Sequence, residues 1–146
     1  MDNTKVLRAE ETWQKAGAFF VRIQGMNRQY HISLKEEFDE HDEESKYIVL
    51  LKDEYPVATC RFYEINSDSV MLGRVVVLPE YREQHLGKEV INEAAAWIKE
   101  LGYKSIIIEA RVEVVGFYEK LGFTMVDDEV IKSWNFDCRK MIKVID

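Results

Sequence analysis

The chain is short of most features that would place it outside the ordinary soluble domains. It has two cysteines, Cys60 and Cys138. Neither belongs to a C-x-x-C pair, so their spacing offers no metal site and no redox motif. Reduced thiols in a cytoplasmic protein are the simpler expectation than a disulfide. Nowhere is there a run of about 18 apolar residues, and the first ten residues lack the apolar stretch of a signal peptide. No membrane partner is therefore expected. Positive charge is scarce, with 20 Lys and Arg against 27 Asp and Glu and a formal net charge of −7. That balance argues against a nucleic-acid binder, which needs a basic face, and is compatible with cationic substrates such as amines. Proline is also rare: Pro56 and Pro79 are the two, and both read as punctuation.

What is present suits one domain over 1–146. The 146 residues are 47% hydrophobic and 32% charged, and a chain of this length buries roughly 70% of its unfolded surface without staples. Apolar residues recur at helical spacing from about 9 to 23, through Trp13, Ala16, Phe19, Phe20 and Ile23. An acidic stretch over 36–44 reads as a solvated loop or frayed helix. Apolar runs at 47–51, 57–65 and 70–78, separated by polar turns, predict three antiparallel strands in sequence. From 85 to 101, Leu86, Val90, Ile91, Ala94, Trp97, Ile98 and Leu101 keep one helix face apolar, and Gly102 stands at the C-terminal cap. The run Ile106-Ile107-Ile108 predicts a buried strand. A short helix capped by Gly122 follows, then strands beginning at 123 and 134. Strand, long helix, strand is a βαβ crossover, which puts one parallel pair inside a mixed sheet.

The segment that carries chemistry is Val75-Val76-Val77-Leu78-Pro79-Glu80-Tyr81-Arg82-Glu83-Gln84-His85-Leu86-Gly87-Lys88. A buried strand runs into a proline turn, a polar loop and then a helix. The start of that helix offers unpaired N–H groups and the positive end of a dipole, an anion site suited to a pyrophosphate. Gly87 permits close approach of a ligand to the backbone. Arg82 and Lys88 bring positive charge to an acidic chain.

This segment resembles the acetyl-CoA motif of the GNAT superfamily of N-acetyltransferases, matched by Arg82-Glu83-Gln84-His85-Leu86-Gly87. A second signature of that family resembles Gly116-Phe117-Tyr118-Glu119-Lys120-Leu121-Gly122-Phe123, preceded by Glu109-Ala110. The strong resemblance covers about 72–126. A looser one, through Phe20-Val21-Arg22-Ile23-Gln24-Gly25, Asp39, Asp42 and the stretch ending at Met141, is similar to the ElaA-like and YjcF-like bacterial branch. Three positions depart from it: His85 replaces the first glycine of the motif, Arg111 stands where relatives often have Asn or Gln, and Cys138 where ElaA-like relatives tend to have His.

The resemblance implies a mixed, mostly antiparallel α/β sheet of six to seven strands with a central parallel pair and about four helices. It implies acetyl-CoA as cosubstrate without a metal, and direct attack by a primary amine of a small molecule or peptide in a ternary complex. Cofactor binding then falls to Val75, Val76, Val77, Arg82, Glu83, Gln84, His85, Leu86, Gly87, Lys88 and Arg111. The N–H groups of Val75 and Val77 are the candidates for the pantetheine arm and thioester. His85 crowds the pyrophosphate, donates a hydrogen bond to it or points to solvent, and Arg111 either pairs with a CoA phosphate or lies on the surface. Tyr118 stands at the general-acid position, with a reference pKa of about 10 against about 8.5 for a thiol. The base is open: Leu72 occupies the position where some relatives carry glutamate, leaving Glu64, Asp39, Asp42, His31 or water. A non-catalytic acyl-CoA-binding module and an unrelated α/β interaction domain are the alternatives, and a homodimer through the last strand is compatible with the sequence.

Overall fold

The computed structural model describes residues 3–145. The first two residues and the last of the expected 1–146 domain lie outside the described residues. In chain order the elements are β1 (Thr4–Arg8), α1 (Thr12–Arg22), a π-helical turn (Ile23–Asn27), α2 (Arg28–Tyr30), α3 (Leu34–Glu37), a 3-10 turn (Glu40–Glu43), β2 (Lys46–Lys52), β3 (Tyr55–Glu64) and β4 (Ser69–Val77). After a 3-10 turn (Pro79–Tyr81) come α4 (Leu86–Glu100), β5 (Ser105–Arg111), a further 3-10 turn (Val112–Val114), α5 (Val115–Lys120), β6 (Thr124–Met125), β7 (Ile131–Ser133) and β8 (Phe136–Val144).

The strands form one mixed sheet in the order β1-β2-β3-β4-β5-β8-β6, with β7 beside β8. β4 and β5 run parallel, and the other pairs are antiparallel. This is the expected architecture, with eight strands in place of six or seven. The extra strands are short pieces, and β1 owes its conformation to pairing with β2. In the β2–β3 turn Asp53 and Glu54 have φ of 52° and 70°, the left-handed pair whose twist matches a two-residue hairpin. Gly102 and Gly122 each have φ of +95°, the conformation that ends α4 and α5 at little steric cost.

The two faces of the sheet are covered differently. On one, α4 buries Val90, Ile91, Ala94, Trp97 and Ile98 in a core with Ile48, Leu50, Phe62, Val70, Leu72, Ile106 and Ile108. The Trp97 ring meets Phe62 edge-on at 5.5 Å, a favoured aromatic geometry. On the other, α1 packs Ala18 and Phe19 with Tyr47, Val49 and Leu51.

Next to that smaller cluster the acidic stretch departs from its expected solvated state. Glu37 is 3% exposed and Arg22 fully buried. Arg22 holds Glu37 at 3.0 Å and Asp42 at 2.6 Å. Arg61 holds Asp39 at 2.9 Å and Asp42 at 2.7 Å, and Arg74 reaches Asp39 at 3.2 Å. The Tyr47 hydroxyl donates to Asp42 at 2.8 Å. Three guanidinium groups face three carboxylates, so removal of the charges from water is offset by pairing within the cluster. The cluster ties α3 and the turn after it to the sheet.

Candidate active site

The site begins where β4 and β5 part. Their pairing is confined to Ser69–Ser105, Val70–Ile106 and Met71–Ile107. Beyond Met71 the edge of β4 facing β5 is open. A bulge then interrupts β4: Gly73 opposes Arg61 and Val76 opposes Thr59, which leaves Cys60 facing two residues. Arg74, in the bulge, has φ of 49°. Such an insertion re-aims a strand's groups.

Hydrogen bonding fixes where the β4 amides point. Leu78 N–H donates to Val57 O on β3 at 2.9 Å. Strand alternation therefore turns the N–H groups of Val77 and Val75 away from β3, into the gap. The Val77 carbonyl accepts from Arg82 Nε at 3.2 Å. The side chains alternate too. Val75 and Val77 lie toward Gly87, while Val76 lies toward Gly25.

At the mouth of the gap the chain turns through Pro79–Tyr81 and passes Glu83 (φ 66°) and His85 (φ 62°) before α4 starts. No side chain caps α4, so the first-turn amides of Leu86, Gly87 and Lys88 lack intrahelical acceptors. A Cβ on Gly87 would sit 3.7 Å from Phe117 Cζ and 3.8 Å from Val77 Cγ2. The free protein has room for that atom, and the glycine keeps the room clear. His85 is exposed with its backbone left-handed, the conformation that a glycine adopts without strain.

A cleft of about 750 Å³ runs from this mouth through the β4–β5 gap, within the range of sites for large cofactors. Of the sequence-predicted residues, Val75, Val76, Val77, Arg82, Glu83, His85, Leu86, Gly87, Lys88, Arg111 and Tyr118 all line it. Gln84 is turned aside and accepts from Lys52 Nζ at 2.7 Å. Arg82 is partly engaged, donating to Gln29 at 2.9 Å.

Tyr118 is 8% exposed, with its ring 5.0 Å from Phe117 and 5.7 Å from Phe123. Burial, with Cys60 nearby, pushes its phenol well above the ordinary value, and Arg111 pulls the other way. The group is therefore protonated at neutral pH. The dry surroundings that weaken it as an acid also raise the basicity of any thiolate formed there.

Arg111 sits at the end of β5, turned toward the α1–α2 side. Its guanidinium lies 3.6 Å from the Phe136 ring centroid and 5.0 Å from that of Tyr30. Cys138, in the cleft wall, has its thiol pushed upward, first by burial and then by the Glu109 charge.

The candidate bases separate clearly. Asp39 and Asp42 are both held below the usual carboxylate range, against the opposing effect of burial, by hydrogen bonds from arginine: Arg61 for Asp39, Arg22 and Arg61 for Asp42. Glu64 accepts from the Tyr103 hydroxyl at 2.6 Å and does not line the cleft; neither does His31. Glu109, which carried no role in the sequence reading, does line it. It makes no ion pair or hydrogen bond through its side chain among the described residues. The signal for it was the alternation along β5, with Ile106, Ile108 and Ala110 buried and Glu109 between them exposed.

Comparison with known proteins agrees with this geometry. The model of the acetyltransferase (GNAT) family matches residues 9–123. The Bacillus subtilis protein YyaT is 31% identical over 105 residues, 70% of each chain. YjcF of the same organism, an uncharacterized N-acetyltransferase, is 26% identical over 125 residues, covering 86% of this chain and 89% of its own. Among solved structures, Escherichia coli ElaA superposes with a TM-score of 0.79 at 19% identity, over 98% of this chain and 99% of its own. A GNAT family acetyltransferase from Elizabethkingia anophelis, solved with acetyl-CoA bound, gives a TM-score of 0.73 at 14% identity, over 99% and 100%. The diverging strands, the uncapped helix and the family match over most of the chain lead to one assignment: this protein belongs to the GNAT family of acetyltransferases.

Proposed function

We propose that the chain, acting as one domain, transfers an acetyl group from acetyl-CoA to a primary amine of a small molecule or peptide, by direct attack in a ternary complex. The observation that carries this reading is the continuous cleft from the uncapped start of α4, along the open edge of β4, to Tyr118. The Elizabethkingia neighbour has the same fold with acetyl-CoA bound, which supports the choice of cosubstrate.

The residues present fit that molecule. The amides of Leu86, Gly87 and Lys88 and the helix dipole receive a diphosphate, and the absence of a side chain at Gly87 leaves its backbone open to close approach. The inward N–H groups of Val75 and Val77 hold the pantetheine arm and orient the acyl group. Bound acetyl-CoA supplies an activated acyl group: a C–N bond forms to the amine and the C–S bond breaks. Tyr118 donates its hydroxyl proton to the departing sulfur, and the proton that the attacking nitrogen sheds on becoming an amide restores the phenol directly or through water. An acceptor amine is mostly ammonium at neutral pH, and Glu109, an unpartnered carboxylate on the β5 side of the cleft, takes its proton directly or through water.

The test is an amine library read by release of free thiol, with acetyl-CoA binding measured in parallel by calorimetry. Binding together with amine-dependent thiol release supports the reading. Binding without release from any amine converts it to an acyl-CoA-binding module, and no binding at all removes it.

A further inference from the structure

Arg111 differs from every other buried or half-buried arginine near the site. Arg22, Arg61 and Arg74 each meet a carboxylate within 3.2 Å. Arg111 lines the cleft yet has no carboxylate partner among the described residues. Its polar contacts are long: 3.3 Å to the Tyr30 hydroxyl and 3.7 Å to Met26 sulfur. Its position is nonetheless built. The Phe136 ring lies 3.6 Å from the guanidinium carbon, and Tyr30 packs edge-on against Phe136 at 5.4 Å. A guanidinium held against aromatic rings keeps its in-plane N–H fork available for a two-oxygen anion. Two residues earlier on the same face of β5, Glu109 offers the opposite charge without a partner of its own.

We infer that Arg111 is a receptor for an anionic group on the acceptor, so that the acceptor is an amine that also bears a carboxylate, with Glu109 facing its ammonium. This deepens the acetyl-transfer reading and rests on it for the identity of the acceptor side. The same fork would also suit a phosphate of the cofactor, and the two sources separate experimentally. Charge agrees with the acceptor: Arg74 is already paired and Arg82 lies exposed on the loop before α4, so a carboxylate at Arg111 satisfies the half-buried cleft guanidinium left without a counter-ion among the described residues.

The experiment uses matched pairs of amino acids and their carboxamides as probes, titrated into the protein saturated with CoA. Each acid differs from its amide chiefly in the anion, and the pairs are compared at a pH low enough to keep both amines protonated. At least one acid is expected to bind about tenfold or more tightly than its amide, as loss of a charge-assisted bidentate pair implies. Arg111→Gln should abolish that difference while changing acetyl-CoA affinity less than about twofold, and Arg111→Lys, which keeps the charge but not the fork, should restore part of it. Equal binding of every pair, or binding of none, overturns the inference. So does a loss of acetyl-CoA affinity in Arg111→Gln, which would place the anion on the cofactor. If acids are preferred but no thiol is released, the anion receptor stands and the transferase reading falls.

Discussion

The two faces of the sheet solve burial in opposite ways. Against α4 the core is apolar throughout, from Val90 and Ile91 to Ile106 and Ile108. Against α1 and α3 the covering layer is half apolar and half ionic, with Arg22, Glu37 and Arg61 all but inaccessible to solvent. The cleft opens between them, with the loop at the start of α4 on one side and Arg74, Glu37 and Arg111 on the ionic side. The difference separates two tasks. In the proposed reaction the dry, regular face supports the helix whose start receives the cosubstrate. On the inference drawn for Arg111, the charged face is the one that meets the acceptor.

The largest expected effect breaks the ionic face. Asp42→Ala leaves Arg22 and Arg61 short of a buried partner and should cost about 3–5 kcal/mol of stability, read by urea denaturation. Its acid limb follows. The pKa values of Asp39 and Asp42 are lowered in the folded state, so their contribution is fully present above the unfolded value of about 3.9 and is lost as pH falls below it. The wild type should lose stability steeply below about pH 4, and Asp42→Ala should lose less over the same interval.

Tyr118→Phe tests the proposed proton donor at the end of the dry face. Turnover should fall by about 10² or more, while acetyl-CoA affinity, read by calorimetry, stays within about twofold. Unchanged turnover would remove Tyr118 from the mechanism.

Two glycines sharpen the comparison further. A Cβ on Gly25 would lie 2.3 Å from Val76 Cγ1, so Gly25→Ala must push the π-helical turn off β4 and should cost about 1–3 kcal/mol in thermal or chemical unfolding. Gly87→Ala meets only ordinary contacts in the free protein. It should leave stability nearly unchanged and weaken acetyl-CoA binding about tenfold, the loss of about 1.4 kcal/mol. If the two substitutions exchanged effects, the assignment of packing to Gly25 and of ligand space to Gly87 would be wrong.

The same contrast decides what could be read from the sequence. The α4 face was legible because its order is local: Leu86 to Leu101 keeps helical spacing, and Gly102 and Gly122 mark the ends of two helices. The βαβ crossover and the Pro79–Gly87 loop followed from that. The ionic face was not legible, because its partners are far apart in the chain. Residues 36–44 look like a solvated run until Arg22, Arg61 and Arg74 are brought to them by the sheet. The bulge that turns Arg74 has no local signature, and Arg111 stacks on Tyr30 and Phe136 from distant segments. β1 carries too short a pattern, five residues, to be recognised without its neighbour. Glu109 was within reach, since the alternation on β5 exposes it.

The central claim is that acetyl-CoA lies along the open edge of β4 with its diphosphate at the start of α4. Amide chemical shifts of ¹⁵N-labelled protein, followed as acetyl-CoA is added, test it directly. The account predicts the largest changes at Val75, Val77, Leu86, Gly87 and Lys88, with the amides of β1 and β2 nearly unmoved. Saturable changes confined to other segments, or no change at those five amides at saturating acetyl-CoA, would contradict it.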